Sequence, residues 1–465
     1  MSLTVLKFGG TSVGDADAIT RTGRIVASRR TKDPIVVVSA LAGVTNQLIA
    51  LGEQAARGHL IGALRAVEGL RERHLEQAER LLGTDESAAD TCAELSAMID
   101  ELAHLAEALA TLGDLTPRSL DAISAFGEKM SSILCVAGFQ RHGLPAEYVD
   151  ACQIMITDST FSRAEPQPDA IAEACRMTVI PLVRAGKIPV MGGFIGSAKD
   201  SGITTTLGRG GSDYSASLFG AAVRADAIEI WTDVDGMLTA DPRVVPTARL
   251  IEQIAFDEAS ELASFGAKVL HPNTIAPAVR LGIPVYVLNS RRPEGSGTKI
   301  TFEAPRRAVS AIAGKNNITL VKVGSPRMLL TEGFLRSLFA IFERHRTSVD
   351  VVATSEVSVS LTVDDVTRLE AIVSDLRSLG DVSVERNRGI VAVVGSAIAE
   401  GGEAMARALA ALGGVRVHML SLSATGINLT MVVDDEQVKP AMQRLHASFF
   451  DDHARGSTEP AGAAA

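Results

Sequence analysis

Hydrophobic positions along the first 290 residues come in short unbroken runs separated by amphipathic stretches. Residues 3–8 (LTVLKF), 34–40 (PIVVVSA), 177–182 (MTVIPL), 188–196 (IPVMGGFIG), 226–232 (DAIEIWT) and 283–289 (IPVYVLN) are apolar without alternation. Such runs predict strands buried on both faces, as in a parallel sheet. Between them, 16–29, 167–177, 213–223 and 256–267 carry helical spacing. Strands alternating with helices at this interval predict a mainly parallel α/β sheet covered on both sides.

Residues 53–118 break that rhythm. Leu95, Met98, Leu102, Leu105, Leu109 and Leu112 recur every three or four positions, one apolar stripe on a helix, with acidic residues on the other faces. The expectation is a helical insertion lying over the sheet; an arm for a partner is the other reading. After Pro293-Glu294-Gly295-Ser296-Gly297 the texture changes again. From about 310 the pattern is strand (318–323), helix (333–345), two strands (348–363) and helix (366–379). It then repeats as strand (390–395), helix (402–412), two strands (415–433) and helix (436–448). SVSLTVDD (358–365) and GINLTMVVDD (426–435) match internally, and both alternate apolar with polar residues: one face buried and one free. Two β-α-β-β-α units of this kind resemble a tandem of ACT modules. The expected division is 1–295, containing the 53–118 insertion, then 310–385, then 386–450 with a strand drawn from 300–317, and a disordered tail at 451–465.

Composition narrows the function. The 465 residues carry 45 Lys and Arg against 55 Asp and Glu, a formal charge of −10, and only 4% are aromatic. An acidic chain without a basic tract or stacking platform is a poor partner for nucleic acid or anionic lipid. An anionic substrate must then be held by a few placed cations. Four scattered cysteines (Cys92, Cys135, Cys152, Cys175) form no C-x-x-C pair, which argues against a disulfide scaffold or structural zinc and for a reducing compartment. MSLTVLKFGG has no signal-peptide layout, and no unbroken apolar run reaches membrane-spanning length. A cytoplasmic protein with no membrane partner is expected.

Two glycine-rich turns are candidates for phosphate. In KFGGTSVGD (7–15) a strand ends in Gly9-Gly10, whose backbone N–H groups no side chain screens, and Lys7 adds a point charge. In TTTLGRGGSDYSA (204–216), Gly208, Gly210 and Gly211 clear space, Ser212-Asp213 resembles a helix cap, and Arg209 offers a planar fork for a carboxylate. Taken alone, the first reads as well as a tight turn after a strand, and the alternative for the second is a surface turn with a capping Asp; together they fit a polyphosphate lying between two helix starts. Thr232-Asp233 closes a strand where ligands of open α/β sheets collect, and Lys268 follows the helix 256–267. A strand-end turn and a solvated lysine are their bland alternatives. Neither the Walker A string nor the protein-kinase signatures nor G-x-G-x-x-G after a strand is present.

The strings KFGGTSV, VVSALAGVTN, GRGGSDYSA, WTDVDG, DPRVV, FGAKVLHP and TSEVSVSLTVDD, in this order and spacing, resemble the aspartate kinase family over about residues 3–450. The helical insertion before Glu128 is most similar to the single-function, lysine-sensitive type. The resemblance implies an α/β amino acid kinase fold, an α/β/α sandwich on a mainly parallel sheet, followed by two α+β, ferredoxin-like ACT modules. It implies transfer of phosphate from ATP, with Mg²⁺, to L-aspartate, the first step toward lysine, threonine and methionine. Lys7, Gly9 and Gly10 match contacts to the transferred phosphate, and Asp213 matches the acid that holds the lysine. Arg209 matches the clamp on the substrate carboxylate, Glu128 the acid facing its amino group, and Ser39 and Thr45 the pocket lining. Thr232, Asp233, Arg243 and Lys268 match nucleotide contacts. One departure is Leu238, where the family often has Tyr. Met328, Thr331, Gly333, Phe334 and Leu335 match an effector-binding loop and helix start, and Ser348, Val349, Asp350, Thr354, Ser355 and Glu356 match its facing strand. L-Lysine is the implied effector, at an interface of a homodimer formed through the ACT modules.

A carboxylate nucleophile is already ionised at neutral pH, so no general base is required. Kinases for glutamate, carbamate or nucleoside monophosphates generally lack the paired C-terminal modules. A non-catalytic amino-acid sensor would be expected to have lost Lys7, Arg209 or Asp213, and all three are present. Too little chain follows the second unit for a fused homoserine dehydrogenase.

Overall fold

A computed structural model describes residues 2–83, 86–265, 272–328 and 332–451. In chain order its elements are β1 (Thr4–Phe8), α1 (Ala16–Ser28), β2 (Pro34–Val38), α2 (Val44–Ala56), α3 (Leu60–Leu82), α4 (Glu86–Leu112), α5 (Pro117–Arg141), β3 (Ala146–Tyr148), β4 (Ile156–Thr157), α6 (Pro168–Arg184), β5 (Ile188–Gly192), β6 (Ile195–Ala198), β7 (Thr204–Thr206), α7 (Gly211–Val223) and β8 (Ala227–Thr232). There follow β9 (Gln253–Ala255), α8 (Phe256–Ser264), α9 (Pro272–Arg280), β10 (Val285–Asn289), β11 (Thr298–Thr301), β12 (Ala311–Gly324), α10 (Phe334–Arg344), β13 (Val352–Thr354), β14 (Ser358–Val363), α11 (Leu369–Leu376), β15 (Asp381–Val394), α12 (Glu403–Leu412), β16 (Met419–Leu422), β17 (Asn428–Asp434) and α13 (Val438–His446). The chain forms two compact units: Met1–Met237 with Val269–Glu303, and Leu238–Lys268 with Ala304–Ala465.

In the first unit the main sheet runs β3-β5-β2-β1-β8-β10-β11. Its pairings are parallel except for β10 with β11. β1 is central, with Lys7 in register between Val37 and Ile230. Phe8 and Trp231 are fully buried and stack at 6.2 Å, so the ends of β1 and β8 are fixed against each other. Both faces are covered, which accounts for the unbroken apolar runs in β1, β2 and β5.

Two expectations are corrected. Residues 177–182 are helical, inside α6, because Ile171, Cys175, Val179 and Val183 are buried at four-residue spacing; a β-branched run resembles a strand until the stripe around it is counted. Residues 188–196 are two strands in different sheets. The chain turns at Gly193 and Phe194, the latter at φ 67°, and β6 then pairs with β4 and β7. The described residues of 53–118 are mostly helical: they hold the end of α2, all of α3 and α4, and the first residues of α5. Leu95, Leu102 and Leu109 are buried, whereas Leu112 is 75% exposed. Helix α5 is long and apolar enough to cross a membrane, but 83% of its most apolar window is buried within the protein. It is a core helix, the ordinary source of such a sequence.

The second unit carries one six-stranded sheet, β13-β14-β12-β15-β17-β16. β12 and β15 pair antiparallel from Ala311↔Val394 to Gly324↔Asp381. The first repeat is therefore completed by residues 381–385 and the second by 311–315. Both long strands turn through asparagine, Asn317 at φ 59° and Asn387 at φ 54°, a residue that tolerates the left-handed region. One core gathers Val321, Leu338, Leu361 and Ile372, the other Val391, Ala408, Met431 and Leu445. Residues 238–268 belong to this unit: Ile312 N–H donates to the Thr239 carbonyl at 2.8 Å, and the Ser310 hydroxyl donates to Glu258 at 2.7 Å.

A Cβ on Gly196 would lie 2.4 Å from the Met155 carbonyl oxygen, in the pairing that seats β6 beside β4. Gly196→Ala is expected to lower unfolding stability by about 1–3 kcal/mol, read from chemical denaturation; an unchanged midpoint would show that the backbone there can give way.

Candidate active site

The site grows from the end of β1. Lys7 is 8% exposed, and its Nζ lies 2.7 Å from the Asp213 Oδ1. Immediately after it, Gly9 N–H donates to the Trp231 carbonyl at 3.1 Å, fixing the turn to the end of β8. A Cβ on Gly10 would lie 2.9 Å from the Ala40 carbonyl, so only glycine lets the two strand ends approach. Ser39 N–H donates to the Phe8 carbonyl at 3.0 Å and sets the neighbouring loop alongside.

The second turn is as closely determined. Gly208 has φ 76° and Gly210 φ 74°, backbone that side chains other than glycine resist. A Cβ on Gly211 would be 2.7 Å from the Phe194 ring. The turn delivers the first residues of α7, with Asp213 in its first turn, where the helix dipole favours an anion. Lys7, Gly10, Ser39, Thr45, Glu128, Arg209 and Asp213 all line one cleft of about 660 Å³. Arg209 is exposed, and no carboxylate among the described residues pairs with it.

Two acids on α5 close the inner wall. Glu128 is 3% exposed and accepts from Ala40 N–H at 3.2 Å. Its other oxygen has no hydrogen-bond partner. Burial pushes its carboxyl up to about 8, partly offset by that N–H and by the Lys7 charge. Seven residues earlier, Asp121 accepts from Ser162 N–H at 2.7 Å, from Thr206 N–H at 3.0 Å and from the Thr206 hydroxyl at 2.7 Å. It ties β7, which leads into the Gly208 turn, to α5. Sequence reasoning missed Asp121. The available signal was a polar stripe, Asp121, Ser124 and Glu128, at helical spacing on an otherwise apolar segment.

Other expected residues are spread more widely. Thr232 is the last residue of β8 and Asp233 follows it, the Thr232 hydroxyl donating to the Asp233 carboxylate at 3.3 Å. Arg243 lies in the second unit, where it pairs with Asp241 at 2.7 Å; Leu238 there bridges to Leu250. Lys268, Thr331 and the tail beyond 451 lie outside the described residues. Of the regulatory set, Met328, Phe334 and Val349 pack on one core. Gly333 caps α10 at φ 82° and Leu335 is 40% exposed. Ser348 precedes β13, which ends at Thr354, and Ser355 N–H closes a turn onto the Ser358 carbonyl at 2.8 Å, leaving Glu356 exposed.

The raised Glu128 sets a pH dependence. Unfolded, the carboxyl loses its proton near 4.5; folded, it holds it to about 8. Unfolding therefore releases a proton across that interval, and stability falls as pH rises through it. Glu128→Gln should flatten this part of the profile in denaturation at several pH values; an unaltered slope would show that the carboxyl is already ionised in the free protein.

Comparison with known proteins agrees with this geometry. The amino acid kinase family matches residues 2–289 and an ACT domain matches 391–449. The chain is 37% identical over 458 residues to lysine-sensitive aspartokinase 3 of Escherichia coli, covering 97% of this chain and 99% of that one. It is 34% identical to the chloroplastic aspartokinase 3 of Arabidopsis thaliana, covering 96% and 81%. Two crystal structures of the E. coli aspartokinase III are similar at 37% identity. The complex with aspartate and ADP (R-state) has a TM-score of 0.83 and covers 97% of this chain and 100% of that one. The complex with lysine and aspartate (T-state) has a TM-score of 0.81 and covers 96% and 99%. With a cleft of this build on an amino acid kinase fold and near full-length identity to these enzymes, the chain belongs to the aspartokinase family.

Proposed function

We propose that this aspartokinase transfers the γ-phosphoryl group of ATP to the side-chain carboxylate of L-aspartate, giving 4-phospho-L-aspartate as the first step toward lysine, threonine and methionine. The observation that carries the reading is the shared cleft: a lysine–aspartate pair at one glycine turn, an open arginine at the other, and a buried acid between them. A carboxylate oxygen attacks phosphorus, the bond to the β-phosphate oxygen breaks, and ADP leaves with that electron pair. The acceptor arrives as an anion, so the protein has to position it and offset charge rather than remove a proton.

Lys7 faces the transferred group, and Asp213 keeps its ammonium aimed along the strand end. Gly9 and Gly10 let the phosphates meet the backbone. Arg209 clamps the acceptor's carboxylate, Ser39 and Thr45 line its pocket, and Glu128 meets its α-ammonium. Thr232, Asp233, Arg243 and Lys268 take nucleotide roles. Among the described residues no group of three or more His, Cys, Asp or Glu is placed to hold an ion by itself. Mg²⁺ carried by the nucleotide would neutralise phosphate charge in this cleft.

The regulatory reading follows the second unit. L-Lysine is the feedback inhibitor, its carboxylate set toward the start of α10 at Gly333 and its side-chain ammonium toward Asp350 or Glu356. The enzyme works in the cytoplasm as a homodimer joined through the ACT modules.

Lys7→Ala should fold, because Asp213 remains on the helix N-terminus, yet lose about 10²–10³-fold in kcat; undiminished turnover would make the lysine incidental. Arg209→Ala should chiefly raise the aspartate KM, and a change confined to ATP would reassign it. In wild type the aspartate KM should fall between pH 6 and 8 as Glu128 ionises, and Glu128→Gln should remove that trend. Coupled assays with aspartate and glutamate side by side, with and without millimolar lysine, test substrate and effector. Preference for glutamate would overturn the substrate, and inhibition by threonine instead of lysine would overturn the effector.

A further inference from the structure

One acid assigned to the effector already has a cationic partner within its own chain. Lys315, on β12, places its Nζ 3.4 Å from both Asp350 oxygens and 2.8 Å from the Asp364 Oδ2. All three side chains are only partly exposed: 25% for Lys315, 22% for Asp350 and 46% for Asp364. Backbone bonds fix the acids: Asp350 N–H donates to the Thr362 carbonyl at 3.0 Å, and β14 runs directly into Asp364. An amino-acid effector with an ammonium side chain presents the same functional group, on the same length of methylene stem, that Lys315 presents.

We propose that Lys315 is a tethered competitor for the effector's ammonium, setting how much lysine is needed to occupy the site. The inference rests on the reading that lysine binds beside Asp350. Without effector, Lys315 is shared between Asp350 and Asp364. When a free ammonium approaches Asp350, Lys315 withdraws onto Asp364, the closer of its two partners, and keeps one ion pair. Asp364 thus acts as the parking position, and the exchange leaves no charge stranded. Effector affinity then reports the difference between two ammonium–carboxylate contacts rather than the whole of one. The unusual feature is the second acid: a lysine that served only to neutralise Asp350 would need one partner.

The test is lysine binding by calorimetry on the full-length protein. Lys315→Met should lower the lysine Kd by roughly two- to fivefold, the upper part of the span for an exposed ion pair. Lys322→Met is the control. It removes the same charge from the same strand, where Lys322 is paired with Glu385 at 2.7 Å, and should leave the Kd within twofold. An unchanged or weaker Kd in Lys315→Met, with wild type binding lysine normally, would overturn the competitor role and show that Lys315 pre-forms the site. Equal tightening in both variants would reduce the effect to net charge and also overturn it. Absence of lysine binding to wild type and variant alike would overturn the effector reading, and this inference with it.

Discussion

The ion pair between Lys7 and Asp213 is the constraint on which the rest of the site depends. It joins the end of the central strand to the first turn of α7, two segments separated by more than two hundred residues. Each partner is held independently: Lys7 by its register between β2 and β8, and Asp213 by a helix start that only glycine can form. A lysine near a sheet's end is common. A lysine whose direction is fixed by an anion on a second rigid element is pre-aimed, and phosphoryl transfer gains most from groups that need not move.

The inner wall divides its acids by environment. Asp121 has three hydrogen-bond donors and serves as a tie between α5 and the loops that lead to Arg209. Glu128, two helical turns further along the same face, has one donor on one oxygen and none on the other. A buried carboxyl so poorly solvated has reason to wait for a cationic ligand, and an amino acid's ammonium is such a ligand. The contrast between these neighbours separates a structural acid from one left available.

Much of this was legible in the sequence, for identifiable reasons. The turns at Gly9-Gly10 and Gly208–Gly211 stood out because close backbone approach and left-handed φ leave few residues to choose from. The alternation at 358–363 and 428–434 marked strands, but the expected free face is absent from the second: Asn428, Thr430 and Val432 are buried along with Leu429, Met431 and Val433. MTVIPL at 177–182 misled because a helix with its buried stripe at Cys175, Val179 and Val183 locally has a strand's composition. Asp121 was missed because its meaning lies in Ser162 and Thr206, which the chain reaches much later. The exchange of halves between β12 and β15, and the grouping of 238–268 with the C-terminal residues, are properties of pairing, which no local pattern encodes.

The central claim is that the two glycine turns meet around the transferred phosphate with Lys7 beside it. A crystal structure with Mg²⁺, a non-hydrolysable ATP analogue and L-aspartate tests it most directly. The account predicts γ-phosphoryl oxygens within hydrogen-bond reach, about 3 Å, of the Lys7 Nζ and the backbone at Gly9-Gly10, with the amino acid between Arg209 and Glu128. A γ-phosphate bound away from Lys7, with the Lys7–Asp213 pair facing empty solvent, would contradict it.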